Sequence, residues 1–187
     1  FGVSLKRSGY DGIMIRGKSD SPVYISVNEG KVTIKDASPY WGTDTYTFQD
    51  ELKDEGDWTV IGPAGENIVR FAGIVADKRV AGRCGLGAVM GSKNLKGIVA
   101  KGKRRVVAVN SDLFKKSAKI AREKVKNNYA TGQHLPEFGT ALQVMVYAET
   151  GIIPVRNYSK LYFDKAKNIS GEKTRENNVT KSHGCIG

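Results

Sequence analysis

The first hundred residues alternate short β-branched runs with turn-forming residues, which is typical of strands. Two of these runs, residues 23–27 and 31–35, flank residues 28–30, where Gly30 can adopt a positive φ. This pattern predicts a β-hairpin. Further strands are expected at 13–15, 58–61, 68–75 and 106–109, although 68–75 alternates too poorly to separate a strand from a buried helix.

Apolar residues at helical spacing predict three helices. A short helix is expected within 43–53, capped by Thr43 or Asp44. A longer one begins at Ser111, and a third spans 140–150. The apolar face of the longer helix consists of Phe114, Ala118, Ala121 and Val125.

Strand-like sequence patterns give way to helix-like patterns near residue 104, which predicts two domains. Residues 1–103 are expected to form a sheet-rich domain, and residues 104–187 the start of a helical domain in which 158–181 is irregular. The fold class is therefore predicted to be α+β. The chain lacks an initiator Met and stops inside a cysteine-containing motif, so we expect a fragment.

The balance of charge favours an anionic partner. Thirty basic and nineteen acidic residues give a formal charge of +11, which suits nucleic acid, an anionic membrane surface or a phosphate-bearing ligand. No apolar run approaches the roughly 20 residues of a membrane span, and no secretory signal is recognisable. Only two cysteines occur, so a reducing, cytoplasmic location is expected.

The densest chemical signal is the glycine-rich segment, residues 77–97. It holds five glycines, two arginines and three lysines. Glycine lets backbone N–H groups approach an anion, and the arginine fork suits phosphate or the polar edge of a pterin. Neither the P-loop spacing nor the dinucleotide fingerprint matches. The segment indicates a phosphate-bearing ligand, with tight turns in a small β domain as the alternative.

Residues 81–97, 60–67 and 1–17 carry a resemblance to the amino-terminal domain of the aldehyde:ferredoxin oxidoreductase family. The similarity extends over essentially the whole chain. The resemblance implies a sheet-rich domain that forms a base under a bis-pterin cofactor of tungsten or molybdenum, with a magnesium ion joining the pterin phosphates.

The resemblance also implies roles for four residues. Arg79 would contact the cofactor, the backbone carbonyl of Val80 would face the magnesium ion, and Gly82 and Arg83 would lie against the pterin. Surface ion pairs are the alternative for the two arginines. Cys84 stands where family members often have glycine, and we expect a small buried residue that is not a ligand.

Cys185 is the other site residue that the resemblance implies. The family carries near this point a Cys-x2-Cys-x3-Cys run that binds a [4Fe-4S] cluster, so Cys185 would be its first ligand, with Cys directly after Gly187. One cysteine cannot hold a cluster, and the chain alone is expected to be inactive. His134 and His183 are expected to be solvent-exposed or supporting residues, and no catalytic acid or base is assigned.

The implied function is oxidation of a small aldehyde to a carboxylic acid, with electrons passed through the cluster to ferredoxin or another electron-transfer subunit, in anaerobic metabolism. The remainder of the same polypeptide would complete the enzyme, and a homo-oligomer is left open. One alternative is the tungsten subunit of an ATP-independent benzoyl-coenzyme A reductase. A second is a basic nucleic-acid-binding module using 101–105, against which no zinc finger or RNP motif is found.

Overall fold

The computed structural model describes residues 1–180. These residues form two compact units, Phe1–Val107 and a second that begins at Ala108. Strands lie in the first unit and helices dominate the second. The predicted α+β class is confirmed.

A six-stranded mixed sheet organises the first unit, and its strand order is β2-β1-β6-β3-β4-β5. Strands β1 and β6 run parallel, and every other neighbouring pair is antiparallel. The strands are β1 (Val23–Asn28), β2 (Lys31–Asp36), β3 (Asp57–Val60), β4 (Ile74–Ala76), β5 (Arg79–Ala81) and β6 (Leu95–Lys101).

The predicted hairpin is confirmed as β1 and β2, with a tighter turn than expected. Asn28 pairs with Lys31, so the connection has two residues, Glu29 and Gly30. Both have positive φ, 49° and 88°. Positive φ at both central positions is the geometry whose twist matches that of the flanking strands.

Four short helices cover the sheet of the first unit. They are α1 (Gly2–Ser8), α2 (Thr45–Glu51), α3 (Pro63–Glu66) and α4 (Leu86–Ser92), with 3₁₀ turns at Ser38–Tyr40 and Lys53–Glu55. The predicted helix within 43–53 is confirmed as α2. Its cap is Asp44, whose carboxylate accepts the N–H groups of Tyr46 and Thr47 at 2.9 and 3.1 Å.

Two hydrophobic cores lie on the sheet. Alternation along β1 separates them, because Tyr24 belongs to one and Ile25 to the other. Strand β6 contributes to both and is buried along most of its length. The buried members of the first core are Leu5, Ile25, Val27, Ile61, Met90, Leu95 and Ala100, and those of the second are Tyr24, Ala37, Phe48, Trp58, Val60 and Val99.

The structure corrects three predicted strands. Residues 13–15 and 106–109 are not strands. Their apolar side chains had suggested strands, but no neighbouring strand pairs with either run, and β2 and β5 end the sheet. Within 68–75 only the end joins the sheet, as part of β4, because the chain turns before it and Ile68 has a φ of 56°.

The second unit consists of α5 (Ser111–Asn127), α6 (Leu135–Phe138), α7 (Gln143–Glu149) and α8 (Gly171–Asn178), with a π turn at Ala130–His134 and 3₁₀ turns at Gly139–Leu142 and Ala166–Ile169. The helices predicted from Ser111 and within 140–150 are confirmed as α5 and α7. Asn110, and not Ser111, caps α5 by accepting the N–H of Leu113 at 2.9 Å.

Helix α8 corrects the prediction that 158–181 is irregular. Its residues are polar and show no apolar stripe, but Ser170 caps it by accepting the N–H of Lys173 at 3.2 Å. The predicted apolar face of α5 is not covered within the described residues, since Phe114 is 62% exposed.

Candidate functional site

The hairpin of β4 and β5 orients the backbone of Val80. Ala76 pairs with Arg79 across a two-residue loop, and Val75 pairs with Val80. A pair that closes a two-residue loop can only be the hydrogen-bonded type, so the next pair is the non-hydrogen-bonded type. The N–H and C=O of Val80 therefore point away from β4, toward the outer edge of the sheet.

The edge segment, residues 79–83, carries the four residues for which the resemblance implies contact with the cofactor or its magnesium ion. Arg79, Val80, Gly82 and Arg83 are all exposed, and β5 is the last strand of the sheet. Arg79 also makes a contact within the protein. Arg83 belongs to none of the ion pairs among the described residues. Its charge remains available to an anion.

Internal packing does not require glycine at position 82. A Cβ there would lie 3.6 and 3.7 Å from the two methyl groups of Val80, which is ordinary contact. The φ of Gly82 is not positive. The neighbouring Gly73 differs, because its Cβ would lie 2.9 Å from a Val80 methyl and 3.2 Å from the Cα of Gly82. The described residues therefore give no packing reason for glycine at 82, and the position is open to the close approach of a ligand.

Three other glycines of the glycine-rich segment serve packing of α4. A Cβ on Gly85 would lie 2.1 Å from the carbonyl oxygen of Arg70. The corresponding distances are 2.4 Å from Gly87 to the carbonyl oxygen of Gly73 and 1.9 Å from Gly91 to that of Gly65. Because these three positions lack a Cβ, α4 can pack directly against the neighbouring backbone. Packing therefore explains these glycines, and they do not by themselves indicate a ligand.

One lysine of the segment is buried and paired. Lys96 is fully buried in β6, where its Nζ forms an ion pair with Glu66 of α3 and donates to the carbonyl of Thr43 at 2.7 Å. The other carboxylate oxygen of Glu66 accepts the N–H of Gly42 at 2.7 Å. Sequence reasoning missed this pair. The available signal was a lysine between Leu95 and the apolar run of a central strand.

Lys93 and Asn94 hold the chain that precedes β1. Lys93 Nζ donates to the carbonyl of Gly17 at 2.9 Å, and Asn94 Nδ2 donates to that of Ser19 at 2.7 Å. The hydroxyl of Ser92 donates within α4 at 2.8 Å. No ligand contact was assigned to these three residues, and the structure gives each an internal partner.

The expectation that Cys84 is buried is wrong. Cys84 is exposed, with a φ of 66°, in the turn that leads into α4. Glycine adopts this left-handed backbone without strain, whereas most other residues do not. Cys185 and His183 lie outside the described residues. His134 is partly buried between the rings of Tyr129 and Phe138, at centroid distances of 4.1 and 5.9 Å.

The clearest pKa shifts of the first unit lie away from β5. Burial, followed by the hydrogen bond to Glu55, raises the pKa of Tyr24 in β1. The same carboxylate raises the pKa of Lys35 in β2, at the opposite end of the sheet from β5. Neither group is placed to transfer a proton at the edge segment.

Among residues 1–180, no cluster of three or more His, Cys, Asp or Glu side chains could hold a metal ion. A protein oxygen such as the outward carbonyl of Val80 could still contribute one ligand to a magnesium ion held mainly by phosphates. Within the same residues, every helix is too short or too polar to cross a membrane.

Comparison with known proteins identifies the family. The model of the aldehyde ferredoxin oxidoreductase N-terminal domain matches residues 1–102, and that of domains 2 and 3 matches residues 116–187. A tungsten-containing aldehyde ferredoxin oxidoreductase of Pyrococcus abyssi is 42% identical over 100% of this chain and 32% of its own length.

Two further relatives carry other names. The WOR-like subunit of an aliphatic sulfonate oxidoreductase of Pyrococcus furiosus is 36% identical over 87% of this chain and 29% of its own length. The active-site complex BamBC of benzoyl-coenzyme A reductase, solved with 1,5-dienoyl-coenzyme A, superposes with a TM-score of 0.74 at 28% identity. That match covers 97% of this chain and 30% of the other.

The chain thus spans about a third of the length of the relatives that it matches. The two family models together cover most of its residues, including the whole edge segment. The chain belongs to the aldehyde ferredoxin oxidoreductase family.

Proposed function

We propose that this chain is the cofactor-binding part of a tungsten-dependent enzyme that oxidises an aldehyde to a carboxylic acid. The observation that carries the proposal is the edge segment, which combines exposed arginines, an outward carbonyl and a glycine that internal packing does not need. When bound, the tungsten centre supplies the oxygen-transfer and two-electron chemistry, and the chain binds and orients it.

Four residues of the edge segment share three tasks in this proposal. Arg79 and Arg83 bind the anionic and polar groups of the bis-pterin, since guanidinium forks match phosphate oxygens. The carbonyl of Val80 would contribute one oxygen ligand to a magnesium ion. Gly82 lets the pterin approach the backbone. The same residues would accept the molybdenum form of the cofactor.

Cys185 serves electron transfer in this proposal. It would supply one thiolate of a [4Fe-4S] cluster, whose other ligands would come from the rest of the enzyme. Oxidation of an aldehyde with water yields the acid, two protons and two electrons, and the cluster held in part by Cys185 would supply the one-electron route to ferredoxin or another electron-transfer subunit. This chain alone is therefore inactive.

A second candidate keeps the cofactor and changes the substrate. The structural match to the benzoyl-coenzyme A reductase complex over 97% of this chain favours a subunit that reduces an aromatic thioester. We do not propose a nucleic-acid-binding module, because the family accounts for the basic edge segment through an anionic cofactor.

The test uses the complete enzyme, prepared without oxygen. Tungsten, molybdenum, iron and pterin are measured per polypeptide, and dye reduction by aldehydes is compared with reduction of benzoyl-coenzyme A. We expect tungsten, pterin, about four irons and aldehyde-dependent dye reduction. Activity on benzoyl-coenzyme A alone would favour the second candidate, and a protein with neither tungsten nor molybdenum would refute both.

Substitutions test the edge segment itself. Arg79→Met and Arg83→Met should lower the pterin content of the complete enzyme. Arg122→Met is the matched control, because Arg122 lies exposed on α5 and has no partner among the described residues. Equal pterin content in all three variants would refute the role of this segment.

A further inference from the structure

Residues 70–73 run alongside the glycine-rich segment, backbone against backbone. The carbonyl of Arg70 lies against Gly85, where a Cβ would approach it to 2.1 Å. The carbonyl of Ala72 accepts the N–H of Gly87 at 2.9 Å. Gly73 touches the edge segment, since a Cβ there would lie 3.2 Å from the Cα of Gly82. The two stretches form one continuous piece of surface.

This neighbouring stretch presents a cation and a ring that nothing in the described chain uses. Arg70 is exposed and takes part in no ion pair or side-chain hydrogen bond among residues 1–180. Phe71 is 81% exposed. Apolar side chains continue around it on the same stretches, with exposures from 43% to 63%, at Ile68, Val80, Leu86 and Val89.

Exposed apolar side chains together with the guanidinium groups of Arg70 and Arg83 suit a ligand that is flat and apolar on its faces and anionic at its ends. An aromatic side chain offers its ring face to a planar heterocycle. A guanidinium offers paired N–H donors to a phosphate. The edge segment alone supplies the arginines but no aromatic ring.

We propose that Arg70 and Phe71 form a second wall of the cofactor site, in which Arg70 binds a phosphate group and Phe71 covers a face of a pterin ring. This inference rests on the proposed function, because it assigns two further residues to the same cofactor. It extends the site from a single edge to two adjoining backbone stretches.

The experiment measures cofactor retention in the complete enzyme. Arg70→Met and Phe71→Ala are compared with Arg122→Met and Phe114→Ala, two exposed residues of α5. Pterin is quantified by fluorescence after oxidative release and tungsten by elemental analysis, before and after extended dialysis. Loss of one charge-assisted contact should weaken retention about tenfold or more. Arg70→Lys should retain an intermediate amount, because it keeps the charge without the fork.

The outcomes separate this inference from the proposed function. If Arg79→Met loses pterin while Arg70→Met and Phe71→Ala keep it, the second wall is refuted and the edge segment stands. If all of these variants keep pterin, the role of the edge segment fails as well, whereas the proposed function fails only if the complete enzyme holds neither tungsten nor molybdenum. The last measurement is the thermal unfolding midpoint of the cofactor-free variants. A lowered midpoint for Arg70→Met and Phe71→Ala would assign their effect to folding and overturn the inference.

Discussion

The two halves of the glycine-rich segment share glycine and basic residues but lie in opposite environments. Residues 77–84 are exposed throughout, whereas residues 85–97 include the buried Gly85, Gly87, Gly91 and Lys96. The first half has one glycine and three basic residues, and the second has four glycines and two lysines. In the first half those residues face outward, and in the second most of them pack against the protein. The same residue types therefore support two different physical tasks.

The position of each half in the sheet explains the difference. The first half lies on β5, the terminal strand, whose outer edge has no partner among the described strands. The second half forms α4 and β6, and β6 lies between β1 and β3. A central strand with cores on both faces must satisfy any charge internally.

The largest expected effect concerns the buried ion pair. Lys96→Met leaves Glu66 buried without its partner and should lower the free energy of unfolding by about 3–5 kcal/mol. Urea unfolding followed by circular dichroism measures this loss. The double variant Glu66→Leu with Lys96→Met should recover most of it. Loss below about 1 kcal/mol for the single variant would contradict an internal role for Lys96.

Helix packing gives the next effect. Gly91→Ala places a Cβ 1.9 Å from the carbonyl oxygen of Gly65, so α4 or α3 must move. We expect a loss of about 3 kcal/mol in the same urea experiment. The matched change Gly2→Ala, at a position with nothing within 4 Å of the new atom, should be nearly neutral. An equally neutral Gly91→Ala would show that the two helices do not touch there.

Asn94 should give a smaller loss. Asn94→Ala removes the hydrogen bond to Ser19 and leaves alanine at a φ of 55°, which together should cost about 1–2 kcal/mol. Asn94→Gly restores the backbone freedom without the hydrogen bond and should fall between alanine and wild type. Thermal unfolding midpoints rank the three proteins. A glycine variant less stable than the alanine variant would argue against the backbone contribution.

Gly82→Ala tests the exposed half, where we expect loss of cofactor without loss of stability. Its Cβ meets only ordinary contacts, so the free energy of unfolding of the cofactor-free protein should change by less than about 0.5 kcal/mol. Pterin content of the complete enzyme should nevertheless fall. Destabilisation as large as that of Gly91→Ala would remove the distinction between the halves.

Acid sensitivity of α2 gives the smallest effect. Hydrogen bonds from the Thr47 hydroxyl and from the N–H groups of Thr47 and Tyr46 lower the pKa of Asp44. The folded pKa lies below the unfolded value of about 3.9, so this stabilisation is present above that pH and is lost as pH falls through the folded pKa. The stability advantage over Asp44→Asn should shrink below about pH 4. A constant difference would exclude this linkage.

Local signals predicted much of the fold. The alternation around Gly30 predicted the first hairpin, and helical spacing predicted α2, α5 and α7. Patterns failed where an element depends on a distant partner. The apolar run 106–109 has no strand beside it, and the polar α8 begins against a distant turn, since a Cβ on Gly171 would lie 2.8 Å from the backbone nitrogen of Leu142. Helix α4 and strand β6 were not predicted within the glycine-rich segment, because its glycines suit turns unless a neighbouring backbone lies against them.

The candidate site also has a part that was predicted before the structure and a part that was not. Resemblance named Arg79, Val80, Gly82 and Arg83, and their roles stay predictions. The resemblance gave no reason to single out Arg70 or Phe71. These two residues lie near the glycine-rich segment only because the backbone of residues 70–73 contacts that of Gly82, Gly85 and Gly87.

The sequence by itself determined the family, the α+β class and the location of the chemically dense segment, because these depend on residue identity and local spacing. Tertiary structure decided which glycines and lysines of that segment face outward, that Cys84 is exposed, and that the carbonyl of Val80 points to the open edge. Those properties depend on strand order and register, which are set by contacts between residues far apart in the chain.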